Sequence, residues 1–195
     1  MSRFARVAWM VMALAAAVAI PAAPAFAQWE VQLQPGGKAL SAAEWAAMNA
    51  AFTRSLTKAA ALGTFEQVRA LGALTYGAVR AGGLDALATA AGVKYGPDLF
   101  EVGLYDLDYD GRVEMFVRAR PPVGACNAVT GCEIYVLQKD GPLGGDWQVM
   151  GWFSAFRVRV YPNPNKGFEV IDDGVQRWIW NGTRFDRTCN LTCRD

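Results

Sequence analysis

The stretch FEVGLYDLDYDGRVEMFV, residues 100–117, decides the fold. On both sides of its acidic centre, apolar residues recur with a period of two, which is typical of a strand with one buried face. The alternating residues are Phe100, Val102 and Leu104 before the centre and Val113 and Met115 after it, with Phe116 and Val117 on alternate faces. Gly111 provides the backbone freedom that a tight turn needs. The segment therefore predicts two antiparallel strands joined by an acidic turn.

The period of two continues downstream of this hairpin. Further strands are predicted at 134–137, 147–153, 156–161, 168–171, 175–180 and 183–186. Asn181-Gly182 separates the last two strands and is a strong signal for a two-residue hairpin turn. Successive hairpins predict an antiparallel β-meander over residues 98–188.

Upstream of the hairpin, residues 41–92 carry a helical pattern. Ser41 and Glu44 have the spacing of a capping box, and the helix that they begin extends to about Leu62. A second helix is predicted from Thr64 to about Arg80, and a short third helix over 84–91. The sequence thus predicts an α+β fold, in which N-terminal helices pack on the β-meander in a single domain, residues 28–195.

Residues 1–27 have the features of a secretory signal peptide. Arg3 and Arg6 precede an apolar run of 14 residues, Val7 to Ile20, and Ala25-Phe26-Ala27 is an A-x-A cleavage site. The alternative is a retained membrane anchor, but a spanning helix needs roughly 20 apolar residues. No later stretch is apolar enough to span a bilayer. We therefore expect cleavage before Gln28 and a periplasmic or secreted protein with no membrane span after cleavage.

Charge and composition exclude several classes of function. The chain has 19 basic and 18 acidic residues, and loss of the two signal-peptide arginines leaves 17 against 18, a net charge of −1. Such a chain lacks the basic surface that nucleic-acid binding needs. Histidine is absent, so Ser-His-Asp and Cys-His catalysis are excluded. We expect no enzyme, although carboxylate, lysine or tyrosine chemistry stays open.

The four cysteines predict two disulfides. They are Cys126, Cys132, Cys189 and Cys193, an even number in a chain expected in an oxidising compartment. Three pairings are possible, and the local one, Cys126 with Cys132 and Cys189 with Cys193, is favoured. Their C-x5-C and C-x3-C spacings, without histidine, argue against a zinc site.

The acidic turn reads D-x-D-x-D-G-x-x-E over residues 106–114. Calcium takes six to eight oxygen ligands, which closely spaced carboxylates on a tight loop can supply. The candidate ligands are the carboxylates of Asp106, Asp108, Asp110 and Glu114 and the backbone carbonyl of Arg112. The alternative is a metal-free turn in which aspartate side chains bind backbone N–H groups. Repulsion among four carboxylates favours the metal.

The acidic turn begins like an EF-hand loop, but position 12 is Val117 rather than glutamate, and its flanks are strand-like. It more closely resembles the β-hairpin calcium loop of FG-GAP and integrin α-chain repeats, D-x-D-x-D-G-x-x-D, with Glu114 at the last position. The motif occurs once, so the resemblance does not imply a propeller.

A longer resemblance covers about the last 90 residues. An acidic turn, a cysteine-bounded loop, a W-x-V-x-G segment and a W/F-x-W/F-[ND]-G hairpin follow one another in a group of small exported proteins of proteobacteria, most of them uncharacterised. The matching segments are 106–117, 126–137, 147–151 and 178–185. The resemblance implies an exported location and this order of strands, and it implies no enzymatic activity.

The sequence therefore favours a non-catalytic envelope protein, a calcium-binding structural or protein-binding module whose partner is another envelope protein. One alternative is an inhibitor or immunity protein against a cell-wall enzyme, with the loop between Cys126 and Cys132 as its contact. A less favoured alternative is a hydrolase that uses carboxylates alone. Its candidate residues, which no pattern brings together, are Glu101, Glu169, Asp172, Asp173 and Asp186.

Overall fold

The computed structural model describes residues 29–62, 64–139, 146–161, 170–174, 176–180 and 185–190. The signal peptide predicted over 1–27, the Asn181-Gly182 turn and Cys193 lie outside these residues. The side chain of Cys189 also lies outside the description.

The N-terminal part of the described chain is helical, as predicted. Its helices are α1 (Gly36–Ala39), α2 (Ala42–Ala60), α3 (Phe65–Arg69), α4 (Ala73–Ala81) and α5 (Leu84–Ala90). The predicted capping box begins α2. The hydroxyl of Ser41 accepts a hydrogen bond of 3.2 Å from the backbone N–H of Glu44, and the backbone N–H of Ser41 donates to the Glu44 carboxylate at 2.7 Å.

The prediction of one helix from Thr64 to Arg80 is wrong, because the segment forms two helices, α3 and α4. Thr64 does begin the first, since its hydroxyl accepts from the backbone N–H of Gln67 at 3.3 Å. The break falls at Gly72, whose φ of +102° lies in a region that helices cannot use.

Two short strands precede the helices, and the other described strands follow them. The strands are β1 (Trp29–Glu30), β2 (Gln34–Pro35), β3 (Phe100–Tyr105), β4 (Glu114–Ala119), β5 (Cys126–Asn127), β6 (Gly131–Lys139), β7 (Trp147–Ala155), β8 (Arg159–Tyr161), β9 (Val170–Asp172), β10 (Gln176–Trp180) and β11 (Phe185–Asn190). All their pairings are antiparallel, which confirms the predicted α+β class.

The strands divide between two sheets rather than forming one meander. In the central sheet, β2, β3, β4 and β6 are neighbours in that order, and β5 and β7 also pair with β6. In the outer sheet the order is β1-β8-β9-β10-β11. The chain leaves the central sheet after Ala155 and bends at Phe156 and Arg157 before it enters the outer sheet. A period of two identifies strands but does not show which sheet each joins.

The central sheet is buried on both faces. The helices cover one face, where Met48, Phe52 and Leu74 pack with Phe100 and Tyr135. The outer sheet covers the other face, and the residues of this second core include Leu107, Phe116, Ile134, Phe153, Val160 and Ile171. Successive residues of β4 and β6 therefore serve different cores. The result is three layers, helices on sheet on sheet, with the β3–β4 hairpin in the middle layer.

Candidate metal centre

The acidic turn joins β3 to β4 at one end of the central sheet. The last residue pair of the hairpin is Tyr105 opposite Glu114. Two residues of the turn have left-handed backbone conformations, Tyr109 with φ +58° and Gly111 with φ +84°. A chain that turns this tightly returns Glu114 to the residues that follow β3. One carboxylate oxygen each of Asp106, Asp108 and Glu114 lies within 4.8 Å of the others.

Glu114 is the buried member of this acidic triad, Asp106, Asp108 and Glu114. It is fully buried, and its Oε2 accepts a hydrogen bond of 2.7 Å from the backbone N–H of Leu107. Leu107 is itself fully buried in the second core, so this contact ties the turn to the packing between the sheets. The other oxygen, Oε1, is buried and has no hydrogen-bond partner in the described part of the chain. Half of a buried carboxylate is thus left unsatisfied.

Asp106 and Asp108 each use an oxygen to build the turn. Asp106 Oδ2 accepts from the backbone N–H of Gly111 at 3.0 Å, and Asp108 Oδ1 accepts from the backbone N–H of Asp110 at 3.3 Å. Asp106 Oδ1 is buried and, like Glu114 Oε1, has no hydrogen-bond partner within the residues that the structure describes. The aspartate side chains therefore do bind backbone N–H groups, as predicted for a metal-free turn. Even so, one buried oxygen of Asp106 and one of Glu114 remain without a donor among the described residues.

Without a cation, ionising all three carboxylates of the triad costs electrostatic free energy. Burial raises the pKa of Glu114 to about 7; the charges of Asp108, Asp106 and Asp110 also raise it, and the hydrogen bond from Leu107 opposes the shift. Burial likewise raises the pKa of Asp108, and the neighbouring aspartates add to the effect. A cation among these oxygens would offset both the desolvation and the repulsion.

Asp110 does not join the triad. Its carboxylate binds Arg112 instead, whose Nε donates to Oδ2 at 2.6 Å and whose backbone N–H donates to Oδ1 at 2.8 Å. A second guanidinium nitrogen also contacts Oδ2. These hydrogen bonds lower the pKa of Asp110. Of the four predicted carboxylate ligands, the structure therefore brings three together and places the fourth on the neighbouring arginine.

The donor set fits a hard cation. Every ligand atom is oxygen, which suits calcium or magnesium rather than a transition metal that prefers nitrogen or sulfur. The two buried oxygens that lack partners in the described part of the chain are carried by Asp106 and Glu114, which are both members of the triad. Sequence reasoning missed Leu107, which positions Glu114; an apolar residue between two aspartates was the signal that could have found it.

Cys126 and Cys132 form a disulfide with an S–S distance of 2.06 Å. This confirms the first half of the favoured pairing, and the predicted Cys189–Cys193 pair lies outside the described side chains. The bond closes a hairpin loop between β5 and β6. The loop tip is exposed, and Val129 is 77% accessible to solvent. The side chain of Asn127 braces the tip by accepting a hydrogen bond of 2.6 Å from the backbone N–H of Val129.

The carboxylates considered for hydrolysis have structural contacts where they are described. Glu101 pairs with Arg118 on the adjacent strand. Asp172 accepts from the backbone N–H of Gly174 at 2.7 Å, and Asp173 accepts from the indole N–H of Trp178 at 2.8 Å. The side chains of Glu169 and Asp186 lie outside the described residues.

The comparisons with family models, curated proteins and solved structures find no match for this chain. The resemblances noted from the sequence accordingly stay predictions. In the described part of the chain, no helix has both the length and the apolar character needed to cross a membrane.

Proposed function

We propose that this protein is an exported, non-catalytic module of the bacterial envelope whose β3–β4 turn binds calcium. The observation that supports the proposal most strongly is the fully buried carboxylate of Glu114. Its Oε1 has no hydrogen-bond partner among the described residues, and Glu114 belongs to the triad with Asp106 and Asp108. Leaving a buried acceptor unsatisfied costs about 1–3 kcal/mol, and more when the group is charged. A bound cation removes this cost.

Calcium is the preferred cation because of its coordination chemistry. It accepts six to eight oxygens in irregular arrangements, whereas magnesium demands a strict octahedron and keeps several of its waters. All three carboxylates of the triad already accept hydrogen bonds from the backbone of the turn, from the N–H groups of Leu107, Asp110 and Gly111. Such a site suits the more tolerant ion.

The position of the triad favours a structural role for the ion. Asp106 follows β3 and Glu114 begins β4, so a shared cation would tie the two strands together at the turn that joins them. Leu107, whose N–H binds Glu114, packs between the two sheets. Calcium would therefore stabilise the layer on which the helices and the outer sheet both pack.

One cleft in the described part of the chain supports a non-catalytic protein. It encloses about 470 Å³, and its described lining contains no aspartate or glutamate. Its walls include Trp152, Trp178 and Phe185. A hydrolase that uses carboxylates alone needs two such groups facing one cleft.

Thermal unfolding of the mature chain from Gln28 tests the proposal. Because calcium binds only the folded hairpin, it should stabilise the protein by RT ln(1 + [L]/Kd), about 2.7 kcal/mol at a hundredfold excess over Kd. Magnesium should raise the melting temperature less, and a chelator should reverse the effect of calcium. A melting temperature that millimolar calcium leaves unmoved would mean a metal-free acidic turn.

Asp108→Asn identifies the site in the same experiment. The asparagine keeps an acceptor for the backbone N–H of Asp110 and loses the charge, so the folded protein should persist and its calcium response should vanish. Asp146→Asn is the matched control, since the side chain of Asp146 is 84% exposed. It should leave the response intact. Equal responses in the two variants would place calcium elsewhere.

A second candidate function is inhibition of a cell-wall-degrading enzyme through the loop between Cys126 and Cys132. The observation that favours it is Val129, an apolar residue held at the exposed tip of a disulfide-closed loop. The test is inhibition of muramidase activity on purified peptidoglycan. Val129→Asp should abolish inhibition, whereas Leu62→Asp, at an exposed apolar residue after α2, should not. Absence of inhibition by the unmodified protein would reject this candidate.

A further inference from the structure

The contact between Asp110 and Arg112 lies beside the acidic triad and concerns the one carboxylate of the motif that stays outside it. We propose that Arg112 competes with the cation for Asp110. Binding then requires the Asp110 carboxylate to leave the guanidinium and join Asp106, Asp108 and Glu114. This inference rests on the proposed calcium site and assigns Arg112 the role of limiting its affinity.

The geometry supports such an exchange. Asp110 is already linked to the triad through its backbone, whose N–H donates to Asp108 Oδ1 at 3.3 Å. Its carboxylate is partly exposed and accepts hydrogen bonds from Arg112, from Nε at 2.6 Å and from the backbone N–H at 2.8 Å. The three carboxylates of the triad fill only part of a calcium coordination sphere. Asp110 is the further carboxylate within the turn.

Charge explains the direction of the effect. Arg112 is the only basic residue between Asp106 and Glu114. Without a metal ion, its guanidinium forms charge-assisted hydrogen bonds with Asp110 and neutralises part of the turn. Once calcium is present, the positively charged guanidinium repels the ion. It also holds the Asp110 carboxylate, which would otherwise coordinate the ion. Removing the guanidinium should therefore tighten calcium binding, even though Arg112 forms an ion pair with the acidic turn in the metal-free protein.

Calorimetric titration of Arg112→Gln with calcium tests the inference. Glutamine keeps the backbone carbonyl at position 112, so only the guanidinium is lost. Exposed ion pairs are weak, so we expect the Kd to fall roughly two- to fivefold. Arg157→Gln is the control for net charge, since its side chain is 67% exposed and lies in the bend before β8. It should leave the Kd unchanged. Arg112→Ala serves as a second variant with the same expectation.

The same titration in an Asp110→Asn background separates competition from simple charge repulsion. Asp110→Asn alone should weaken binding, and adding Arg112→Gln should give no further gain, because the contested carboxylate is absent. An equal gain with and without Asp110 would overturn the inference and indicate repulsion. Calcium binding by the unmodified protein with no tightening in Arg112→Gln would overturn it while leaving the site intact. Failure of both proteins to bind calcium would reject the proposed function as well.

Discussion

The carboxylate of Glu133 accepts a hydrogen bond of 2.6 Å from the backbone N–H of Ala73. Its second oxygen accepts from the backbone N–H of Leu74 at 3.0 Å. Glu133 lies in β6 and is 7% exposed, and Ala73 is the first residue of α4. The first N–H groups of a helix have no partners within it, and its dipole favours negative charge at this end. A sheet residue therefore caps a helix and joins two layers.

Glu133→Ala should destabilise the protein by about 3 kcal/mol, because it leaves the partly buried N–H of Ala73, the buried N–H of Leu74 and the buried Tyr135 hydroxyl without their acceptor. Glu133→Gln should cost less, since one amide oxygen can still accept. Chemical denaturation measures both changes. The control is Glu66→Gln in α3, where the side chain is exposed. A Glu133→Ala protein as stable as this control would contradict the capping role.

Alanine at Gly72 should be much more damaging than alanine at Gly82. Both glycines have positive φ, +102° and +88°, so each substitution carries a backbone cost of roughly 1–2 kcal/mol. At Gly72 a Cβ would also lie 2.4 Å from the hydroxyl of the buried Tyr135, whereas at Gly82 it would meet nothing within 4 Å. Denaturation midpoints of the two variants give the comparison. Equal losses of stability in the two variants would show that the close approach of Tyr135 to Gly72 adds nothing to the cost.

Glu114→Gln should abolish the calcium response without lowering the melting temperature of the metal-free protein. The amide oxygen can still accept from Leu107, while the buried charge and its repulsion with Asp106 and Asp108 are removed. Paired melts in calcium and in chelator measure both effects. A clear drop in the chelator melt would mean that the carboxylate stabilises the fold without a metal, which contradicts the proposed site.

The exported protein should contain two disulfides and no free thiol. Because Cys126 and Cys132 bond to each other, Cys189 and Cys193 are left to pair. Thiol counting under denaturing, non-reducing conditions should give none, both for the unmodified protein and for a Cys126→Ser, Cys132→Ser double variant. The double variant should also lose roughly 2 kcal/mol of stability, the entropic value of closing a short loop. Two free thiols in the double variant would show that the C-terminal pair does not form.

Features formed by neighbours in the sequence could be predicted from it. The capping box of Ser41 and Glu44, the hairpin of residues 100–117 and the Cys126–Cys132 pair each involve residues close along the chain. Their geometry depends on residue spacing and local backbone preference, and both can be read from the sequence.

Features formed by distant residues could not be predicted. The helix break at Gly72 depends on Glu133 and Tyr135, about 60 residues away, because only the packed sheet places an acceptor at the start of α4. The division of the strands into two sheets likewise depends on the bend at Phe156 and on which apolar face each strand buries. Alternation of apolar residues is the same for a strand in either sheet.

The acidic turn combines both kinds of information. Its sequence determined that carboxylates at 106, 108, 110 and 114 would crowd into one tight hairpin turn. Asp108 and Asp110 hold equivalent places in the D-x-D-x-D pattern, yet Asp108 joins the triad and Asp110 binds Arg112. That choice, and the burial that leaves an oxygen of Glu114 without a partner, exist only once Leu107 packs between the sheets, because desolvation is a property of the packed core.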